Sequence, residues 1–182
     1  LVGSEMCIRD RLSAIACAND AIRQEAARNA EYQHMGTTLV CAVARSDMAI
    51  IGNIGDSRAY HITPEGIFQI SRDHSVVENM VAKGDLTPLE ARTHPNRNLI
   101  TRALGPDIHA KADTFELPWH KDEFLLLCSD GLVNTVSDQE MLFEVLHDGD
   151  VNECLDHLLQ ISLQRGAPDN ITAVLLLNGE GR

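Results

Sequence analysis

Two apolar runs in the second half of the chain each meet an acidic turn. Phe124–Cys128 (FLLLC) runs into Ser129-Asp130-Gly131-Leu132, and Pro168-Asp169-Asn170-Ile171-Thr172 runs into residues 172–177 (TAVLLL). Apolar stretches of roughly four to eight residues bounded by turn formers have the length of buried strands and are short for helices. Both predict core strands, with Asp130 and Asp169 where strand gives way to loop. Upstream, residues 39–44 and 48–60 alternate or run apolar and predict strands around an Arg45-Ser46-Asp47 turn. Thr63-Pro64-Glu65-Gly66 predicts a hairpin into residues 67–70. The run over 48–60 would put Asp56 in the middle of a strand, where aspartate is disfavoured.

Helical spacing appears elsewhere. Residues 12 to about 28 predict an amphipathic helix with Leu12, Ile15, Ile22 and Ala26 on one face, closed by Asn29 and the stretch 31–36. Residues 75–84 predict a short helix, and Thr87-Pro88-Leu89-Glu90 has the spacing of a capping box with proline at the first helical position. Two further helices start at Ser137, with Glu140 three residues on, and at Asp150, with Glu153, the second ending near Gly166. Met141, Leu142, Val145 and Leu146 give the first of these its packing face.

Composition narrows the class. With 182 residues, 44% of them hydrophobic, the chain is long enough for one core, and it has no apolar stretch near the roughly twenty residues a membrane span needs. A formal net charge of −12 argues against a nucleic-acid partner, because backbone phosphates are bound by clustered Lys and Arg. Five cysteines, odd in number and without a CxxC pair, argue against a disulfide framework or a structural zinc site and suit a reducing cytoplasm. Eight histidines are scattered without an HExxH pair.

A carboxylate at the mouth of an apolar core loses hydration and needs a cation, a cluster of donors or open water. Taken singly, Asp130-Gly131 and Asp169-Asn170 read first as turn formers. Ile54-Gly55-Asp56-Ser57-Arg58-Ala59-Tyr60 adds a third acidic position, between Met35-Gly36-Thr37-Thr38 and Asn98-Leu99-Ile100-Thr101-Arg102-Ala103-Leu104-Gly105. In order along the chain, the MGTT, GDSRAY, DHS, HPxRN, TRALG, CSDGL and PDNIT stretches closely resemble the metal-dependent serine/threonine phosphatases of the phosphatase 2C type, in their bacterial form. The resemblance runs from about Leu12 to the C-terminus.

That resemblance implies an α+β fold: a four-layer α-β-β-α sandwich of two antiparallel sheets flanked by helices. It implies a centre of two or three Mn²⁺ or Mg²⁺ ions that hydrolyses phosphoserine and phosphothreonine in proteins, and hard cations of this kind take carboxylate and water oxygens. Asp130 and Asp169 would hold one ion of the central pair, and Asp56 with Asp130 would help hold a third, with Gly131 and Asn170 supporting the turns. The nucleophile would be a metal-bound water, and no catalytic protein nucleophile is expected. The helix pair after Ser75 falls where relatives carry a flap, with His94 and Arg97 as candidate substrate contacts against the alternative of exposed loop residues. His74 is expected to fix a loop by hydrogen bonding. Arg58 and Arg102 could each meet phosphate, with Arg58 more in keeping with an ion-pair partner for Asp56. The implied partners are phosphoproteins opposed to a bacterial serine/threonine kinase.

One part of the family pattern does not occur in these residues: an Asp-Gly-x-Gly-Gly motif whose aspartate bridges the two central metals, together with a phosphate-gripping arginine upstream. Residues 1–11 match neither helical nor strand period and resemble a translated adaptor string, so they are expected to be a non-native leader. Residues 12–182 are then expected to be a partial phosphatase domain, without its N-terminal strands and first helix. Such a fragment should bind a single ion weakly and associate through an exposed sheet edge. The alternative from another class is a phosphatase-like module that binds a partner or phosphoprotein without turnover. Asn178-Gly179-Glu180-Gly181 reads as a polar tail.

Overall fold

A computed structural model describes the backbone of residues 2–147 and 150–179, and side chains from Ser13 onward. Six α-helices and seven strands are described: α1 (Val2–Arg28), β1 (Leu39–Ala44), β2 (Met48–Ile54), β3 (Arg58–Thr63), β4 (Gly66–Gln69), α2 (Val76–Lys83), α3 (Pro88–Thr93), β5 (Asp113–Pro118), β6 (Phe124–Cys128), α4 (Asp130–Val133), α5 (Asp138–His147), α6 (Val151–Gln164) and β7 (Ala173–Leu177). The strands form a three-stranded sheet in the order β1-β2-β5 and a four-stranded sheet in the order β4-β3-β6-β7. The chain divides into two compact units. One comprises Leu1–Leu39, Gly52–Asp56 and Asp73–Thr114, the other Val40–Ile51, Ser57–Arg72 and Phe115–Arg182.

The second unit holds the layered core. In the four-stranded sheet all three pairings are antiparallel; Tyr60 stands opposite Leu126, and Leu126 opposite Leu175. Side chains alternate across a strand. Ala59 and Leu125 therefore face Ala49, Ile51, Leu117 and Trp119 from the other sheet. Tyr60, Ile62, Leu126 and Cys128 face the opposite way, onto Leu132, Met141, Val145, Cys154 and Leu158 of the helices. Burying each large aliphatic chain here contributes about 1.5–3 kcal/mol. The result is sheet on sheet with helices over the four-stranded layer, as the α+β expectation requires. Trp119 Nε1–H donates to the Arg45 carbonyl (2.7 Å), and the Asn178 amide donates to the Ser46 and Trp119 carbonyls.

The local signals place most elements correctly. Ser75 caps α2, which ends on Gly84 in the left-handed region (φ 81°), and Thr87 and Glu90 form the full capping box of α3. Ser137 and Glu140 bond reciprocally at the start of α5. Asp150 caps α6 through the Asn152 N–H. The Thr63–Gly66 hairpin and the turn closed by Arg45 N–H to the Met48 carbonyl are both present.

Several expectations need correction. β2 stops at Ile54 and β3 begins at Arg58, so Asp56 lies in a bend between strands and not within one. The bend exists because Gly55 takes φ +106°, a conformation that side-chain-bearing residues rarely adopt. α1 begins at Val2, not at Leu12; no proline stands between residues 2 and 28 to stop it. The side chains of residues 1–11, on which the leader reading rests, and of Leu12 lie outside the described residues, as do Glu180 and Gly181 of the tail. Ile15 is buried, and Ile22 and Ala26 are half-buried, on the expected face of α1. β5 and the short α4 were not anticipated.

In the first unit, the MGTT and TRALG segments pair. Thr37 N–H donates to the Leu104 carbonyl (3.0 Å), and Leu104 N–H returns the bond to Thr37 (2.8 Å). Buried Asn19 of α1 secures this loop: its Oδ1 accepts from Gly105 N–H (2.7 Å) and its Nδ2 donates to the Asp107 and Ile108 carbonyls.

Candidate functional site

The end of β6 and the approach to β7 bring the two acidic turns together. Ser129, directly after β6, exchanges backbone and side-chain bonds with the other turn. Its N–H donates to the Thr172 carbonyl (2.9 Å), its Oγ accepts from Thr172 N–H (3.0 Å), and its hydroxyl donates to the Asn170 carbonyl (3.3 Å). Gly131 lies so close to the Asn170 carbonyl that a Cβ would overlap that oxygen. Asp130 and Asp169 thus stand on abutting turns at one end of the four-stranded sheet.

Within the turns, Asp130 is half-buried at the first position of α4 and its Oδ2 accepts from Asn134 Nδ2 (3.4 Å). Asp169 is exposed and its Oδ1 accepts from Asn170 N–H (2.7 Å). Asn170 therefore supports Asp169 through its backbone N–H.

Asp56 belongs to the first unit, in the Gly55 bend. Below that bend sits Thr38, whose side chain occupies the space a Cβ on Gly55 would need. His74 is held there too. Its N–H donates to the Gly55 carbonyl (2.8 Å), and its ring Nδ1 accepts from Gly55 N–H (3.1 Å). His74 does fix a loop, as its sequence context predicts.

On the far side of the ring, His74 Nε2 meets Asp113 Oδ2 (3.1 Å), while Arg102 Nη1 donates to Asp113 Oδ1 (2.9 Å). Burial alone would push the Asp113 carboxyl up, but the bonds from His74 and Arg102 outweigh it and hold the group below its ordinary value. Arg102 is thereby committed to a carboxylate, where sequence left it a phosphate candidate. Arg58 Nη1 donates to the Tyr60 hydroxyl (3.0 Å). His94 ends α3 and its Nδ1 accepts from Asn96 N–H (3.1 Å); Arg97 is exposed.

Among the described residues, no group of three or more His, Cys, Asp or Glu side chains stands together so as to hold a metal ion. Asp130 and Asp169, two hard oxygen donors on turns packed backbone to backbone, fit a hard divalent cation by donor chemistry, with further oxygens needed to complete its sphere. Sequence reasoning missed Ser129, Asn19 and Asp113. Only Asn19 left a signal: a polar, poor helix former one turn from Ile15 on the buried face of a helix.

A family model described as Protein phosphatase 2C matches residues 4–175. The serine/threonine phosphatase stp of Listeria welshimeri is 37% identical over 142 residues, covering 78% of this chain and 56% of that protein. The serine/threonine protein phosphatase PstP of Mycobacterium tuberculosis is 35% identical over 164 residues, 90% of this chain and 31% of that protein. This chain spans about half the length, or less, of these curated relatives. Among solved structures, serine/threonine phosphatase Stp1 from Staphylococcus aureus superposes with a TM-score of 0.91 at 39% identity, covering 97% of this chain and 69% of that one. The catalytic domain of PstP in complex with two manganese ions superposes with a TM-score of 0.80 at 32% identity, covering 90% and 67%. Among the described residues, no helix is long and apolar enough to cross a membrane.

Proposed function

This chain belongs to the protein phosphatase 2C family, and from that membership we propose that it carries the carboxylate end of a centre for metal-dependent hydrolysis of phosphoserine and phosphothreonine in proteins. The observation that supports this most is the pairing of the two acidic turns, which puts Asp130 and Asp169 at one sheet end with Gly131 against Asn170. Asp130 and Asp169 would hold a Mn²⁺ or Mg²⁺ ion, and Asp56 would contribute to a further one. A bound ion of this kind supplies hydroxide near neutral pH and offsets charge on the phosphoryl oxygens. The chain's own part is to hold these carboxylates in place: Ser129 ties the two turns, Asn134 and the Asn170 backbone orient the carboxylate oxygens, and His94 and Arg97 are the flap residues offered to substrate.

The natural substrates on this reading are phosphoproteins made by a bacterial serine/threonine kinase, in a cytoplasmic setting that suits the reduced thiols of Cys17, Cys41, Cys128 and Cys154. The 182 residues contain no Asp-Gly-x-Gly-Gly aspartate. By themselves they should therefore bind one ion weakly and turn over poorly, because a bridging carboxylate is what lets two cations sit close together.

The test is Mn²⁺-dependent hydrolysis of a phosphothreonine peptide by this chain and by a longer one that also carries such an aspartate upstream, each with Asp130→Ala as control. Activity confined to the longer chain and lost in its control supports the reading. A folded longer chain that binds Mn²⁺ and phosphopeptide without turnover would replace it with a non-catalytic binding module.

A further inference from the structure

The bend that carries Asp56 packs over Thr38 and makes two hydrogen bonds with His74. Its backbone N–H donates to the Gly55 carbonyl, which is the peptide bond leading into Asp56, and its ring Nδ1 accepts from the Gly55 N–H on the other side. Both peptides flanking Gly55 are therefore pinned by one residue. With Nδ1 an acceptor, the neutral ring carries its proton on Nε2. That proton is donated to Asp113 Oδ2, and Arg102 donates to the other oxygen of the same carboxylate. The 3.2 Å approach of Arg102 Nη1 to His74 Nε2 is then a side-by-side packing of two donors on one acceptor group. The His74 side chain is 4% exposed, so its orientation is set by these partners and not by solvent. His74 is further tied by its carbonyl, which accepts from Thr101 N–H (2.7 Å).

We infer that His74 is a positioning residue: Asp113 and Arg102 orient its ring so that Nδ1 accepts from Gly55, and this fixes the backbone that presents Asp56 to its ion. The chain Arg102–Asp113–His74–Gly55 serves the proposed centre without touching a metal, which accounts for a buried histidine and an ion pair that the hydrolytic reading leaves unused. The inference rests on the reading of Asp56 as a ligand for its consequence, but not for its geometry.

Two substitutions separate the ring's two roles, since Asn places an oxygen near the Nδ1 position and Gln a donor near the Nε2 position. In the chain without metal, nitrogen shifts of His74 should report the Nε2–H form. Amide exchange at Gly55 should rise about tenfold in His74→Gln and by no more than about threefold in His74→Asn, the size expected for losing one hydrogen bond against keeping it. The amides of Leu125 and Leu126 serve as a control for global opening. An Nδ1–H tautomer, or equal Gly55 exchange in the two variants, overturns the inference. Should His74→Gln fail to fold, Asp113→Asn must raise Gly55 exchange selectively, and an unchanged rate there overturns it equally. Calorimetric Mn²⁺ titration then adds the ligand question: His74→Gln and Asp56→Asn should weaken the same binding event, and the double variant should lose no more than Asp56→Asn alone. If Asp56→Asn leaves Mn²⁺ binding intact, the ligand reading of Asp56 fails while the exchange data decide the role of His74 on their own.

Discussion

The Cα of Gly131 rests against the carbonyl of Asn170, leaving no room for a side chain between the two acidic turns. Two effects oppose each other at this position. Alanine would favour α4 over glycine by about 1 kcal/mol, whereas forcing a methyl against a backbone oxygen costs about 1–3 kcal/mol because the backbone itself must move. The clash should win. Gly131→Ala is expected to lower stability by up to about 2 kcal/mol in urea titration and to weaken Mn²⁺ binding by separating Asp130 from Asp169. Unchanged Mn²⁺ affinity would show that the spacing of the turns does not matter to the ion.

Asp130 and Asp169 place like charges on abutting turns, a cost that a cation would offset. Asp130→Asn and Asp169→Asn should each abolish the gain in melting temperature that Mn²⁺ gives the parent chain, while leaving the melt in chelator the same or slightly higher. A variant that melts lower in chelator would mark its carboxylate as a structural cap instead.

Asn19 satisfies three backbone groups of the TRALG loop from inside α1. Replacing it by alanine gains about 0.5 kcal/mol of helix propensity but leaves the buried Gly105 N–H without its acceptor, at about 1–3 kcal/mol, with two carbonyls losing their donor as well. Asn19→Ala should destabilise the chain by about 2–3 kcal/mol in denaturant titration; a loss under about 0.5 kcal/mol would mean that water replaces the amide fully.

Glu140 links the start of α5 to Arg165 at the end of α6 through a two-pronged ion pair and the bonds from Ser137. The Arg165 guanidinium and the Ser137 donors hold its carboxyl well below the usual carboxylate range. A depressed folded pKa contributes stability above the unfolded value, near 4.5, and loses it as pH falls through the folded one. Glu140→Gln should therefore cost about 1 kcal/mol at pH 7, mostly from the cap because the ion pair is exposed and screened. That difference should shrink steadily below about pH 4. Melts at pH 7 and pH 3 check this; an equal difference at both would assign the effect to packing.

Signals carried by neighbours in sequence were legible. Ser75, Gly84, Thr87 and Ser137 delimit helices through bonds spanning three or four residues, and FLLLC has the length and apolarity of the core strand it forms. Asp56 was misplaced into a strand because the bend depends on Gly55 fitting over Thr38, a contact made seventeen residues away that no local pattern records. β5 escaped notice because its alternation rests on Phe115 and Leu117 alone, between Asp113 and Pro118, yet its Leu117 reaches the core. At the candidate site the aspartates of both turns announced themselves, while Ser129 did not: a serine's partner 43 residues on leaves no trace in its surroundings.

Trp119 is the single tryptophan of the chain, buried among Ala49, Ile51, Ala59 and Leu125 with its indole N–H on the Arg45 carbonyl. Water reaches this indole only when the two sheets part, so its fluorescence is an internal gauge of sheet docking. Emission and far-ultraviolet dichroism, followed together through denaturation, would tell whether the sandwich and its helices come apart as one cooperative body or as two.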